Sequence, residues 1–382
     1  MSMLYIHVPF CRTRCLYCDF YSTTLPVRVR ESYLRALVRE LSLRRSYLPA
    51  APLSSVYVGG GTPSILSPAL LRDLFSAVTS LFTLAPGAEV TLEANPDDVT
   101  EEFLRLLPSL PVNRLSLGVQ TFNDRQLRRL RRRHDAACAV RAVRLLHEAG
   151  VRNLSVDLIY ALPGQTLSDW RSDLLQALSL PVTHLSAYAL SYEPSTPLHR
   201  LLLAGIVRES PEALQARMYA LLRLLTRRAG FVHYEISNFS LPHFRSRHNS
   251  GYWADVPYLG VGPSAHSYDL LTRRANLPDL RAYVRSLLSG RDCPHRIERL
   301  TPLTLRNETV MKSLRTLDGI DLSLFARRFS AASLQELLSM ARPYIRRGDL
   351  LLTDRPPRLR LAPHSLFVSD SIIGDLFVLP ST

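Results

Sequence analysis

From the start of the chain to about residue 190 the apolar pattern alternates between two periods. Short β-branched runs predict strands at Leu4–Val8, Val56–Gly59, Glu89–Glu93, Arg114–Gly118, Asn153–Ile159 and His184–Ala189. Between them the spacing turns helical. Tyr33, Leu34, Leu37, Val38 and Leu41 share one face, and Leu70, Leu71, Leu74, Phe75 and Val78 another. Start signals agree: Ser67 precedes Pro68, and Thr166 is followed three positions later by Asp169. Strand–helix units at this spacing predict an α/β fold with parallel strands and right-handed crossovers, a partial (β/α)6 barrel in preference to an open sheet. In a barrel, reactive groups collect at the C-terminal ends of strands. Those ends carry a cysteine loop, Gly59-Gly60-Gly61-Thr62-Pro63, Glu93, Gln120 and Asp157.

Beyond residue 300 the pattern changes. Helices are predicted at 302–315, 321–329 and 333–346, followed by strands Leu350–Leu352 and Arg358–Leu361 around Arg355-Pro356-Pro357. Three helices and a hairpin read as a winged-helix-like α+β module. The expected division is a β/α core over 1–235, a connecting segment over 236–299 and a C-terminal domain over 300–382. No solenoid repeat interrupts it.

Composition narrows the class. A hydrophobic content of 46% with 21% charged residues excludes wholesale disorder. No apolar run approaches the roughly 18 residues of a membrane span, and Leu4–Val8 is too short for a signal-peptide core. A cytoplasmic location is expected. The formal charge is +14, and Lys312 is the sole lysine. The arginines are spread along helical stretches without interleaved aromatics, so they read as solvated faces rather than a nucleic-acid surface. An odd count of five cysteines argues against a disulfide framework, and three of them crowd into Cys11, Cys15 and Cys18.

The CxxxCxxC spacing follows directly on the first strand. Three thiolates on a short loop can serve three corners of an iron–sulfur cube, whereas structural zinc takes four ligands. A zinc site completed by His7, Cys138 or Cys293 is the competing reading. With three protein ligands, one iron stays open to an exchangeable ligand.

On these cysteines, with the aromatic-rich loop to Phe20, the chain resembles the radical S-adenosylmethionine superfamily. Tyr5-Ile6-His7-Val8-Pro9-Phe10, Gly59–Pro63, Gly118-Val119-Gln120 and Asp157-Leu158-Ile159-Tyr160 narrow the resemblance. They are similar to the group that holds oxygen-independent coproporphyrinogen III oxidase and the HemW heme chaperones. The resemblance implies a [4Fe–4S] cluster on Cys11, Cys15 and Cys18, with S-adenosyl-L-methionine chelating the fourth iron and cleaved there to a 5′-deoxyadenosyl radical. Gly60, Gly61 and Thr62 would lie along the methionyl part, and Glu93 and Gln120 would meet polar groups of the cofactor. Arg132, flanked by Arg131 and Arg133, would pair with its carboxylate, and Asp157 would accept from ribose hydroxyls. Tyr5 and Tyr17 match positions beside cluster and adenine; core tyrosines are the competing reading.

Two departures from the oxidase pattern favour the chaperone branch. The oxidase has a fourth cysteine where this chain has Phe20, and it carries a long extension before its cluster strand, whereas Tyr5 here lies four residues from the start. A third feature, His248-Asn249-Ser250-Gly251-Tyr252-Trp253, matches an HNxxYW segment implicated in heme handling. His248 is the candidate iron ligand, with Asn249, Tyr252 and Trp253 lining a flat apolar pocket; a strand packing its aromatics into the barrel is the alternative. The Gly260–Ser267 loop lacks a nucleotide-binding pattern and reads equally as a ligand contact or a turn. The resemblance implies heme as cargo, a heme-acceptor protein as partner and a cluster-dependent homodimer. Propionate decarboxylation of coproporphyrinogen III is the alternative activity.

Overall fold

The computed structural model describes residues 1–379. The first half contains β1 (Ser2–Val8), α1 (Arg28–Leu43), β2 (Leu53–Gly60), α2 (Pro68–Leu81), β3 (Leu84–Ala94), α3 (Glu101–Leu106), β4 (Arg114–Gln120), α4 (Asp124–Arg129), α5 (Ala136–Glu148), β5 (Leu154–Tyr160), α6 (Leu167–Leu178) and β6 (His184–Ala189). Next come α7 (Pro197–Leu203), α8 (Glu212–Arg228), β7 (Val232–Glu235), β8 (Asn238–Ser240), α9 (Arg247–Trp253), β9 (Tyr258–Val261), β10 (His266–Tyr268), β11 (Thr272–Asn276), α10 (Leu280–Leu288) and β12 (His295–Arg299). The last part holds α11 (Pro302–Leu314), β13 (Ile320–Asp321), α12 (Leu322–Phe329), α13 (Ala331–Arg347), β14 (Leu350–Asp354), β15 (Pro357–Leu361) and α14 (Ser369–Gly374).

Strands β1 to β6 are parallel neighbours in chain order, as the strand–helix alternation predicts. The ring does not close. Beyond β6 the sheet continues antiparallel through β8 and β7; beyond β1 it continues through β9, β10, β11 and β12. The predicted start signals operate. Ser67 accepts from Leu70 N at 3.4 Å, and Thr166 and Asp169 exchange hydrogen bonds in a capping box.

Alternation along each strand sorts the residues. Leu4, Ile6 and Val8, Val56 and Val58, Leu115, Leu117 and Val119, and Leu154, Val156 and Leu158 are buried, in one core with the helical residues Leu37, Leu41, Leu71, Leu74 and Val143. The opposite face points into the barrel.

Residues 236–299 are more than a connection, since they supply β8 to β12 of the main sheet. They are pinned to α1 by a fully buried carboxylate. Glu40 accepts from Arg44 Nη1 at 3.0 Å, Gly262 N at 2.8 Å, Asn276 Nδ2 at 2.8 Å and the Tyr283 hydroxyl at 2.6 Å, with Cys293 Sγ at 3.6 Å. Removing one partner of such a network strands the others in an apolar interior. Glu40→Ala is expected to destabilise the protein by about 3–5 kcal/mol, read as a lower urea midpoint.

In the C-terminal module β13, β15 and β14 form a three-stranded sheet on three helices. It has a core of its own around Val310, Leu314, Phe325, Leu337 and Leu359. Main-chain bonds from Ile236 N to Arg315 O (3.2 Å) and from Leu317 N to Tyr234 O (3.0 Å) fasten it to β7.

Candidate active site and ligand cavity

A cavity of about 650 Å3 occupies the inside of the partial barrel. The period of two decides its lining. Tyr5 comes from β1, Tyr57 from β2, Glu93 from β3, and Asp157 and Ile159 from β5. Strand β4 sends in Arg114, Ser116, Gly118 and Gln120, and β6 sends in His184, Ser186 and Tyr188. All nine residues predicted to contact the cofactor and all three clustered cysteines line this one space.

The cysteine loop is closed at its base, where Cys11 N donates to Thr23 O at 2.9 Å and Thr23 N to Pro9 O at 2.7 Å. Its far side is held by Leu16 N to Leu130 O (3.4 Å) and Leu198 N to Leu16 O (2.9 Å). Cys11, Cys15 and Cys18 are free and half-buried. Burial raises the Cys11 thiol and pushes Cys18 up to about 12, so iron must displace protons to bind. No three His, Cys, Asp or Glu side chains among the described residues converge on a single-ion position. A cube does not require convergence, because each thiolate takes its own iron. Of the proposed completions of a zinc site, Cys138 lies outside the cavity lining and the other two are engaged elsewhere. Cys293 sits in the Glu40 network, and His7 is held between the Tyr5 hydroxyl (3.0 Å) and Tyr21 O (2.8 Å). The donor set fits a three-cysteine cluster.

Strand β2 ends against this loop. Gly61 N donates to Val8 O and Thr62 N to Phe10 O, both at 2.8 Å. A Cβ on Gly61 would stand 2.7 Å from Phe10 O and 2.8 Å from Val8 O. Gly60 has φ +105°, and a Cβ there would meet the His7 ring at 2.5 Å. Glycine is required at both positions for the end of β2 to lie against β1 and the cysteine loop, and the backbone of Gly60, Gly61 and Thr62 forms a cradle along the cavity wall. Thr62 Oγ1 reaches Cys11 Sγ at 3.6 Å and accepts from Asn95 Nδ2 at 3.2 Å.

Of three consecutive arginines, Arg132 faces the site. Its Nη1 approaches Cys15 Sγ at 3.4 Å and its Nη2 donates to Asn95 Oδ1 at 2.6 Å and to Gly118 O. Arg133 turns away to Asp97 at 3.0 Å, and Arg131 is exposed with φ +58°. Glu93 accepts from the Tyr57 hydroxyl (2.6 Å) and from Gly60 N (3.1 Å). Asp157 accepts from Ser116 at 3.2 Å. Burial, reinforced by Asp157, raises Glu93 to about 7. Because the folded value lies above the unfolded one, stability from this group is full in acid and is lost as pH rises through about 7. Glu93→Gln does not titrate. From pH 5 to pH 8 the variant should therefore gain on wild type by about 1–2 kcal/mol in urea unfolding, the cavity's access to water keeping the gain small.

The HNxxYW segment is helical, not a strand, and forms α9. Glu89 of β3 holds its first turn, accepting from Ser246 Oγ, Arg247 N and His248 N at 3.2, 2.9 and 3.0 Å. His248, Asn249 and Tyr252 line the cavity; Trp253 does not, correcting its expected place there. The helix turns Trp253 toward the C-terminal module, where the Arg315 guanidinium lies 6.0 Å from its ring. Both nitrogens of His248 are engaged, Nδ1 with Ser55 Oγ at 2.8 Å and Nε2 with the Tyr252 hydroxyl at 3.0 Å. Burial and the charge of Arg114 lower its pKa to about 3, so the ring is neutral. The Gly260–Ser267 loop is structural: it lies outside the cavity lining, and a Cβ on Gly260 would sit 1.8 Å from His266 O.

Several lining residues escaped the sequence reading. His184 is bound by Ser155 Oγ and the Tyr234 hydroxyl, each at 2.8 Å, a serine and a tyrosine as at His248. Arg114 lies near both. Alternation alone would have exposed Arg114, four residues before Gly118 on the same face, and His184, four before Tyr188. Phe20 stands 61% exposed at the cavity rim.

The family model described as the radical SAM superfamily matches residues 5–177, and that of the HemN C-terminal domain matches 300–368. The chain is 32% identical over 375 residues to heme chaperone HemW of Lactococcus lactis, covering 96% of this chain and 97% of that protein. Heme chaperone HemW of Mycobacterium tuberculosis is 35% identical over 378 residues, covering 98% and 94%. Among solved structures, the coproporphyrinogen III oxidase HemN of Escherichia coli superposes with a TM-score of 0.85 at 23% identity, over 98% of this chain and 89% of that one, which shows a shared fold. Identity at this level over almost the whole length, on a barrel with three free thiols at its mouth, places the chain in the HemW family of the radical S-adenosylmethionine superfamily.

Proposed function

We propose that this protein is a heme chaperone: it takes heme into the barrel cavity and passes it to an acceptor protein. The supporting observation is the near full-length similarity to proteins named heme chaperone HemW. Phe20 on the cavity rim, where the related oxidase has a further cysteine, agrees with it. The superfamily implies a [4Fe–4S] cluster and S-adenosylmethionine. When bound, that pair supplies one-electron chemistry at the sulfonium.

The chain's own residues bind and orient. Cys11, Cys15 and Cys18 would hold the cluster. Gly60, Gly61 and Thr62 would lie along the methionyl group, with Glu93 taking its amino group and Arg132 its carboxylate. Gln120 and Asp157 would meet the ribose, and Tyr5 and Tyr17 would flank cluster and adenine. His248 would ligate heme iron through Nε2, giving up its bond to Tyr252, while Asn249 and Tyr252 shape the wall. His248→Ala should then move the Soret band of the heme complex; an unmoved band reassigns the axial ligand. A cluster-dependent homodimer completes the proposal.

Anaerobically reconstituted protein titrated with heme should show a Soret band that saturates stoichiometrically. The same sample supplied with coproporphyrinogen III, S-adenosylmethionine and a strong reductant should yield no protoporphyrinogen. Absence of heme uptake contradicts the proposal, and turnover of the porphyrinogen would replace it with the oxidase reading.

A further inference from the structure

Arg114 opens β4 and faces inward below Ser116, Gly118 and Gln120. It is 2% exposed, yet it lines the cavity. Its Nε has no hydrogen-bond partner, and it joins no ion pair among the described residues. Glu93 and Asp157 are near enough to feel its charge, but neutral donors occupy their oxygens: Tyr57 and Gly60 for Glu93, Ser116 for Asp157. The imidazoles on its other side, His184 and His248, are held neutral by burial and by Arg114 itself. A guanidinium this deep is ordinarily matched by a carboxylate or phosphate in fork geometry, because desolvating it alone is unfavourable by several kcal/mol.

S-adenosylmethionine does not meet that need. Its carboxylate is assigned to Arg132, which touches β4 at Gly118, four residues or about 13 Å up the strand. Between Arg114 and the mouth stands Tyr188, 46% exposed although it lines the cavity, with ring surface free for a flat ligand.

We propose that Arg114 anchors a carboxylate of the cargo, a propionate of heme that enters the barrel edge-first with its ring against Tyr188. The proposal rests on the heme-carrier reading and adds the group by which the cargo is recognised. The neighbouring acids do not oppose it. Their oxygens already accept from neutral donors, Tyr57 and Gly60 on Glu93 and Ser116 on Asp157, so they form no ion pair that a propionate would have to break.

The test uses the full-length, cluster-loaded chain with hemin and with hemin dimethyl ester, whose propionates carry no charge. Wild type should bind hemin about 10- to 100-fold tighter than the ester, the range of a charged hydrogen bond. Arg114→Gln should bring hemin down to the affinity of the ester and leave the ester unchanged, while Arg114→Lys should keep part of the preference. Affinity for S-adenosylmethionine should be unaltered in both variants. Equal binding of hemin and ester by wild type overturns the assignment without touching the heme-carrier reading, and that arm needs no variant to fold. A preference that survives in Arg114→Gln also overturns it, as does a variant that loses S-adenosylmethionine but not the preference. If wild type takes up neither porphyrin, the heme-carrier reading and the anchor fall together.

Discussion

Replacing any one of Cys11, Cys15 or Cys18 by serine is expected to take bound iron from about four atoms per chain to near none after anaerobic reconstitution. The loop offers three thiols around one cavity, and among the described residues no further cysteine lines it. A cube left with two protein ligands has two open irons and no closed anchor. Serine compensates poorly, since its hydroxyl is a far weaker acid than the thiol it replaces and yields its proton to iron much less readily. Cys138→Ser and Cys293→Ser are the controls. Cys138 lies on α5 outside the cavity, and Cys293 belongs to the Glu40 network, so iron content should be unchanged in both. Iron and sulfide analysis of the five variants reads the result. Iron retained in the Cys15 variant but lost in the Cys293 variant would move the centre elsewhere.

Gly61→Ala should also act strongly on the site, although it adds one methyl group. The atoms that its Cβ would meet are the carbonyl oxygens of Val8 and Phe10 and the Phe10 amide, all backbone, so no flexible side chain can give way. Those carbonyls also receive the bonds from Gly61 and Thr62 that join the end of β2 to the cysteine loop. The substitution must either stretch those bonds or push the loop outward, at roughly 1–3 kcal/mol. Displacing the loop moves Cys11 away from Thr62. We expect S-adenosylmethionine affinity to fall at least about tenfold in equilibrium dialysis, with a lower unfolding midpoint. Gly87→Ala is the contrast: its Cβ meets nothing within 4 Å, so its cost is confined to the positive φ of +68°. Equal ligand affinity in the two variants would mean that Gly61 is not part of the cradle.

The sequence made the barrel legible because each strand carries two messages. Outward positions such as Leu115 and Leu117 are apolar and announce the strand; inward positions such as Gly118 and Gln120 are polar and announce the site. The cysteine spacing is equally explicit, being local. Contacts between distant segments were harder to read. Glu89 looked like the start of a strand, yet its carboxylate holds the first turn of α9 more than 150 residues later in the chain. His248 gave no sign that Ser55 and Tyr252 would occupy both ring nitrogens. Trp253 is one position beyond Tyr252, but on a helix that step rotates it by about 100°, out of the cavity and toward Arg315. Residues 236–299 read as a connection because their strands are only three to five residues long. The registers of β9 against β1 and of β8 against β6 show that they extend the sheet.

A [4Fe–4S] cluster on Cys11, Cys15 and Cys18 would turn its fourth iron toward the cradle of Gly60, Gly61 and Thr62. The most direct measurement is electron paramagnetic resonance of the reduced, reconstituted protein before and after S-adenosylmethionine is added. The account predicts a cluster signal whose g-values change on addition, in wild type and not in a variant lacking one of the three thiols. A signal indifferent to S-adenosylmethionine, or oxygen-free protein that binds zinc in place of iron, would contradict it.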